Sequence, residues 1–186
     1  MGIKANVNSE KEKLRTRYRF ERHERFIEHD YLHLQTLPEM ISADTVASYF
    51  SYGDEPSTHE LNQAILKAGK KLLLPRVSGE SIEWVYWDGS SESIKQGKKL
   101  SEPLGEAISD LTCIDLIIVP ALRVDRSGFR LGQGGGYYDR ALAKLQVWSI
   151  GLIHPDEISG SDLPREAHDI PLKAAATHDL ILRFKG

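Results

Sequence analysis

Between Val119 and Leu142 the chain reads VPALRVDRSGFRLGQGGGYYDRAL, a stretch that concentrates residue types suited to holding an anion. Gly132, Gly134, Gly135 and Gly136 permit positive φ and let backbone N–H groups approach a ligand without interference from a Cβ. A helix expected from Tyr137 to Leu145 would add the unpaired donors and the positive dipole end of its first turn. Arg126 and Arg130 offer planar cationic forks for phosphate oxygens, and Asp139 offers an oxygen ligand where a phosphate-bound Mg²⁺ could use it. The string GQGGG fits neither common phosphate-loop pattern. Gly and Tyr stand where a Walker A loop has Lys and Ser or Thr, and Tyr137 falls where a dinucleotide fingerprint needs its third Gly. On the glycines alone, a glycine-rich turn with surface salt bridges is the competing reading.

The elements that must position this loop lie on both sides of it. CIDLIIVP is a short, β-branched apolar run bounded by breakers, which reads as a buried strand. Upstream, Ser9 and Glu12 form a capping box, so a charged helix is expected over Glu10 to about Leu34, behind a mobile tail at residues 1–8. Leu14, Tyr18, Phe26, Tyr31 and Leu34 would give that helix a sparse apolar stripe, while Lys11, Lys13, Arg15, Arg17, Arg19, Arg22 and Arg25 make its first half basic. Most of these cations suit a solvated face paired with glutamates. After Leu37-Pro38 breaks the helix, the strand VASYFSY, a polar loop, a helix capped at Ser57 or Thr58 and closed by Gly69, and the strand KKLLLP follow in turn. That order predicts a parallel pair with a crossover helix. The loop from Phe50 to Thr58 sits at the carboxyl end of a strand, where open α/β sheets take their ligands. SIEWVYWDG alternates as a strand near a sheet edge, with its two tryptophans read as core or edge cover ahead of a stacking platform. VWSIGLIH and DLILRF supply two more strands around the proline-punctuated loop LPREAHDIPL.

At 186 residues the chain suits one α/β domain, expected to span 9–186. A net charge of −3 from 24 basic and 27 acidic residues leaves no global field to recruit nucleic acid or an anionic membrane surface. Cys113, the sole cysteine, argues against a disulfide framework and fits the cytosol as a buried thiol. No apolar leader or membrane-length apolar span is read in the chain, and Asn6 stands where a myristoylation signal needs Ser or Thr. The seven histidines follow no HExxH spacing and GxSxG does not occur, which leaves zinc hydrolysis and a serine nucleophile unsupported.

DRSGFRLGQGGGYYDRAL closely resembles the signature of the 5-formyltetrahydrofolate cyclo-ligases, also called methenyltetrahydrofolate synthetases. The resemblance covers nearly the whole chain from Lys11 onward. KEKLR resembles the family's K-x-x-L-R helix, whose basic residues reach the nucleotide, and FSYGDEPST resembles its glutamate-then-threonine loop, which receives the folate. SEPLG echoes a Glu-Pro segment, and Ile150-Gly151-Leu152, Leu163-Pro164, His168-Asp169, Pro171 and Thr177 resemble the family's ending. The resemblance implies a three-layer α/β/α Rossmann-like sandwich with a mainly parallel sheet, of the type shared with sugar-phosphate isomerases and CoA transferases. It also implies ATP-dependent closure of 5-formyltetrahydrofolate to 5,10-methenyltetrahydrofolate, releasing ADP and phosphate through a phosphorylated formyl (imidate) intermediate.

Carried over residue by residue, the resemblance gives ATP binding to Lys11, Arg15, Arg130, Leu131, Gly132, Gln133, Gly134, Gly135, Gly136, Tyr137 and Tyr138. Phe50, Glu55, Gln133, Gly134, Gly135, Gly136 and Tyr137 would meet the folate, with Glu55, Arg130 and Tyr137 in catalysis and Asp139 and Asp169 on Mg²⁺. One of the two tyrosines belongs to the core and the other to a ligand. The partners expected are these small molecules, with no nucleic acid and no membrane, acting on a monomer. Two departures from the family pattern stand out. The loop lacks the Lys that some members carry, so Arg130, Lys11, Arg15 and Mg²⁺ would neutralise phosphate. The family's aromatic-x-x-Gln appears as His154-Pro155-Asp156-Glu157, and no folate contact is assigned there. Two other functions stay open: an enzyme of the same fold acting on another phosphorylated substrate, and an RNA-binding protein using the basic first helix, against which its interleaved glutamates count.

Overall fold

Short apolar runs fill the strands, and the computed structural model, which describes residues 2–97 and 101–185, shows what they build. The strands are β1 (Thr45–Ala47), β2 (Lys71–Ser78), β3 (Ser81–Trp87), β4 (Ile94–Lys95), β5 (Glu102–Pro103) and β6 (Leu116–Pro120). They continue with β7 (Arg123–Asp125), β8 (Arg130–Leu131), β9 (Trp148–Leu152), β10 (Ile158–Ser159), β11 (Ala174–Ala176) and β12 (Ile181–Arg183). The α-helices are α1 (Gly2–Arg25), α2 (Pro38–Ser42), α3 (His59–Lys67) and α4 (Tyr137–Leu145). A seven-stranded sheet in the order β12-β11-β9-β6-β1-β2-β3 forms the middle layer. Its interior pairings are parallel and its two edge strands, β3 and β12, are antiparallel.

Because successive strand residues point to opposite faces, each buried strand feeds two cores. Val46, Leu72, Leu74, Leu116, Ile118 and Ile150 pack with Leu61 and Ile65 of α3 and with Tyr31, Leu34 and Met40. Ala47, Leu73, Ile117, Val119 and Ala175 pack on the other face with Ala141, Leu142 and Leu145 of α4. Leu116, Ile117, Ile118 and Val119 are fully buried, each contributing about 1.5–3 kcal/mol of apolar transfer, so a charge at any of them would break the centre of the sheet. Trp84 and Trp87 are core residues on opposite faces, as the alternation of SIEWVYW requires.

The expected three-layer α/β/α arrangement therefore holds, and its topology locates a crevice. From β1 the chain passes through α3 to β2 on one side, whereas from β6 it passes through α4 to β9 on the other. β1 and β6 are neighbours in the sheet, and the opposite departures leave open space beyond their carboxyl ends, the usual ligand position in such sheets. β7 and β8, paired antiparallel, carry the chain from β6 to the glycine loop. Their connecting turn is held by Asp125, which accepts N–H groups of Ser127 and Phe129, and needs Gly128 at φ +84, where a Cβ would lie 2.7 Å from the Leu172 carbonyl oxygen.

The first helix differs from expectation at both ends. It begins at Gly2, so residues before Ser9 are helical and Ser9 caps nothing; no proline or interior glycine separates Ile3 from Arg25 to stop it. It ends at Arg25, short of Leu34. Tyr31 and Leu34 are buried, but in a separate 3-10 turn (Leu32–Thr36) started by the Asp30 carboxylate, which accepts the Leu32 N–H. The expected apolar stripe is thus divided between two elements, and the described side chains of α1 enter neither apolar cluster.

Candidate active site

A cleft of about 430 Å³ opens beyond the ends of β1 and β6, lined there by Tyr49, Phe50, Pro120 and Ala121. The glycine loop forms another wall, and its glycines serve different ends. Gly134 (φ +111) and Gly136 (φ +64) use the left-handed region, which favours glycine. At Gly135 a Cβ would meet the Tyr137 ring at 2.6 Å. Gly136 is the N-cap of α4, and no side chain caps the first turn, which lines the cleft and leaves its N–H groups free for an anion.

Opposite this loop runs one face of α1. Arg15 Nε donates to the Gly132 carbonyl at 3.0 Å, and Arg19 donates to both the side chain and the carbonyl of Gln133 at 2.9 Å. Lys11, only 4 % exposed, donates to Asp169 at 2.6 Å and to Glu166 at 3.1 Å. Arg130 is buried and donates to Asp139 at 2.7 Å and to the Ile170 carbonyl at 3.0 Å. The cations expected on phosphate and the carboxylates expected on metal are therefore partners of one another, Lys11 with Asp169 and Arg130 with Asp139. Burial lowers the Arg130 pKa, with the Asp139 carboxylate beside it working in the opposite direction.

The far end of the cleft is aromatic and holds a buried carboxyl. Glu55 is 8 % exposed, and burial pushes its pKa up to about 7, against the opposing effects of the Tyr52 N–H, Arg22 and Gln133. Phe50 stands edge-on to Trp87 at 4.9 Å and presents an apolar wall. The two tyrosines separate as well. Tyr138 packs against both apolar clusters, and burial raises its pKa, so its hydroxyl stays protonated. Tyr137 instead lies under the Arg140 guanidinium, 5.2 Å from ring centre, at the cleft wall.

All the residues assigned to ATP, folate or metal line this one cleft: Lys11, Arg15, Phe50, Glu55, the run from Arg130 to Asp139, and Asp169. Arg126 does not; the turn that buries Asp125 turns Arg126 out to solvent. Glu166 escaped the sequence reading, and His168 entered it only as part of the family's ending, with no site role. With Asp169 they bring ligand atoms within 4.8 Å of one another, the one such group among the described residues, and Asp139 lies outside it. Of the cations expected on a solvated face, Arg22 is buried and Arg19, though exposed, reaches the glycine loop. The signal was there: Lys11, Arg15, Arg19 and Arg22 recur at steps of three or four and so share one side of a helix. Val77 and Ile82, beside the β2–β3 turn, line the cleft with no comparable signal in the sequence.

A glycine loop opening a helix, cations on a facing helix, clustered carboxylates and an aromatic far end define an α/β protein that binds a phosphorylated ligand beside a second, flatter one. Comparison makes the class specific. Residues 3–178 match the sequence profile of the 5-formyltetrahydrofolate cyclo-ligase family, and the chain belongs to that family. It is 32% identical over 152 residues to 5-formyltetrahydrofolate cyclo-ligase of Escherichia coli, spanning 77% of this chain and 83% of that one. With the Mycolicibacterium smegmatis cyclo-ligase it shares 34% identity over 149 residues, 75% of this chain and 74% of the other. The NMR structure of Aquifex aeolicus 5,10-methenyltetrahydrofolate synthetase matches with a TM-score of 0.79 at 29% identity, covering 95% of this chain and 93% of that one. A synthetase from Mycoplasma pneumoniae shares the fold, with a TM-score of 0.69 at 19% identity over 91% of this chain and 99% of the other. Enzymes of this family are ligases that convert 5-formyltetrahydrofolate to 5,10-methenyltetrahydrofolate using ATP.

Proposed function

We infer that this chain closes the ring of 5-formyltetrahydrofolate at this cleft, and that the residues named above carry the reaction. The observation that bears most weight is the union, in one cavity, of an anion-binding end and an aromatic end holding Glu55. A formyl oxygen is a poor leaving group, so it is first made into a better one. The formyl oxygen attacks the γ-phosphorus of ATP, the bond to the bridging oxygen breaks, and ADP departs. The folate N10 then attacks the carbon of the phosphorylated imidate, a C–N bond forms, N10 gives up its proton, the C–O bond breaks, and phosphate leaves with the formyl oxygen. Phosphoryl transfer of this kind asks for alignment and charge neutralisation. The N–H groups of the glycine loop, with Lys11, Arg15 and Arg130, hold the phosphates. Phe50 and Tyr137 bound the folate, and Glu55 orients it.

Asp169 and Glu166, clustered with His168, offer carboxylate oxygens that suit Mg²⁺, a hard cation that prefers oxygen and nucleotide phosphates, and Asp139 would join them from the same cleft. Bound there, Mg²⁺ would supply charge neutralisation for the phosphates. Asp169 and Asp139, now paired with Lys11 and Arg130, would hold the cation, and Lys11 and Arg130 would then be free to meet phosphate. No helix among the described residues is long and apolar enough to cross a membrane, and we take the chain to act as a monomer on small molecules. The inward-facing cations of α1 are already engaged by the protein's own loops, which disfavours an RNA-binding role.

The test follows near-ultraviolet absorbance of the purified protein with 5-formyltetrahydrofolate, ATP and Mg²⁺. Methenyl product should form only with ATP, and Asp139→Ala should slow it by about a hundredfold, the scale of losing an electrostatic group in phosphoryl transfer. Product without ATP, or an undiminished rate in the variant, overturns the assignment.

A further inference from the structure

Glu55 lies at the end of a turn that is tied down mainly from outside. Within the turn, the Glu55 N–H donates to the Tyr52 carbonyl at 3.2 Å and the Tyr52 N–H to the Glu55 carboxylate at 3.3 Å. Its neighbour Asp54 is gripped twice, through its carbonyl by His154 Nε2 at 2.9 Å and through its carboxylate by His23 Nδ1 at 2.8 Å. Both grips lead to one buried ion pair. Arg22, its side chain 4% exposed, precedes His23 on α1 and meets Glu157, 8% exposed, through two parallel bonds of 2.8 and 2.7 Å. Glu157 also accepts the His154 N–H at 2.8 Å, and Arg22 donates to the Ala121 carbonyl on the cleft wall at 2.6 Å.

We propose that Arg22, clamped by Glu157, is a positioning residue for Glu55: it fixes the 52–55 turn against α1 and the loop after β9, and its cation balances the Glu55 carboxylate. The proposal rests on the reading of Glu55 as the group that orients the folate. A buried ion pair is weak evidence for stability, because desolvation offsets most of the attraction, so its retention beside a functional carboxyl asks for another reason. Here the reason is electrostatic. Arg22 and Glu55 act on each other's ionisation, Arg22 favouring the charged carboxylate that burial disfavours. Around Glu55 also stand Tyr49 at the end of β1, Tyr52 and Asp54 on its own turn, Gln133 on the glycine loop and Tyr138 on α4. From the loop after β9, His154 reaches the turn through the Asp54 carbonyl and Glu157 through Arg22; from α1, His23 reaches it through the Asp54 carboxylate and Arg19 through Gln133. Within this set, Arg22 and Glu157 carry opposite charges that can be removed one at a time.

That separability gives a test which a purely structural pair would not pass. Glutamate side-chain carboxyls are labelled with carbon-13, the Glu55 resonance is assigned through Glu55→Gln, and its titration is followed by NMR in Arg22→Gln, Glu157→Gln and the double variant. Arg22→Gln leaves Glu157 as an unmasked anion and should raise the Glu55 pKa by about one pH unit. Glu157→Gln leaves Arg22 unmasked and should lower it by about as much, with the double variant returning close to the parent. The pH limb of kcat/KM should move with each. If Arg22→Gln does not fold, Glu157→Gln and the double variant still decide. A Glu55 titration that stays put, or that moves the same way in both single variants, overturns the proposal. Full turnover in Glu55→Gln would instead overturn the role given to Glu55, while the titrations would still report on the pairing.

Discussion

Replacing Glu55 by Gln should make the protein's stability less dependent on pH, in a direction opposite to that of most carboxylates. Burial raises the Glu55 pKa from an ordinary 4.5 to about 7. Between those values the folded chain holds a proton that the unfolded chain has released, so raising the pH through this window costs stability. The cost builds from the unfolded pKa upward and levels off above the folded one. Integrated from about pH 5 to about pH 8, the folded state loses about 2.5 kcal/mol through this one group. Glu55→Gln cannot ionise and escapes that loss. Urea unfolding of parent and variant at the two pH values isolates the effect, since every other titrating group is common to both. The stability difference, parent minus variant, should fall by about 2.5 kcal/mol from the lower pH to the higher. A constant difference, or a parent that gains on the variant as pH rises, would refute the claim that Glu55 is held protonated by its surroundings.

Gly136→Ala asks a residue with a Cβ to adopt φ +64 and brings that carbon within 2.7 Å of Arg140 Nη1, the end of a flexible side chain. The strain should cost about 1–2 kcal/mol in thermal unfolding, and calorimetry should show ATP bound more weakly; unaltered stability and affinity would contradict the role given to this N-cap. Lys11→Ala removes the cation between Asp169 and Glu166, and steady-state kinetics should show the KM for ATP raised about tenfold or more, the worth of one charged hydrogen bond, with the KM for folate little changed. Equal changes for both substrates would place Lys11 elsewhere than on the phosphates.

What the sequence made legible was local, and what it hid was long-range. α4 runs from Tyr137 to Leu145 as expected because its start and face are written in adjacent residues, a glycine N-cap followed by an amphipathic turn. LIIVP and WSIGL were recognisable as strands by the same local logic. VASYFSY was only partly so: the strand stops at Ala47, after which the chain leaves the sheet to build the cleft. Only the family resemblance singles out Glu55, because its burial beside Tyr49, Tyr138 and Gln133 joins residues that no local pattern connects to it. Lys11 meets Asp169 across 158 positions and Arg22 meets Glu157 across 135, which is why one looked like a helix cation and the other like a solvated one. The cluster of Glu166 and His168 with Asp169 depends on a turn whose Glu166 N–H donates to the Asp169 carboxylate, a bond invisible in the string LPREAHDIPL.

The same contacts say how the first helix and the site depend on each other. The described side chains of α1 enter neither apolar cluster, and Leu14 and Tyr18 are only partly buried, so apolar burial contributes little to holding the helix in place. Its attachment rests mainly on polar contacts from Lys11, Arg15, Arg19, Glu21, Arg22 and His23, with Tyr18 under the Arg123 guanidinium. Lys11, Arg15, Arg19 and one bond of Arg22 end on residues that line the cleft. Docking the helix and completing the nucleotide end of the site are therefore one event. A nucleotide gripped by the glycine loop on one side and by Lys11 and Arg15 on the other would tie the helix down further, by the general rule that a ligand stabilises whatever conformation binds it. A substitution that loosens α1 will then weaken nucleotide binding before it weakens the apolar core, because the core on both faces of the sheet is complete without it.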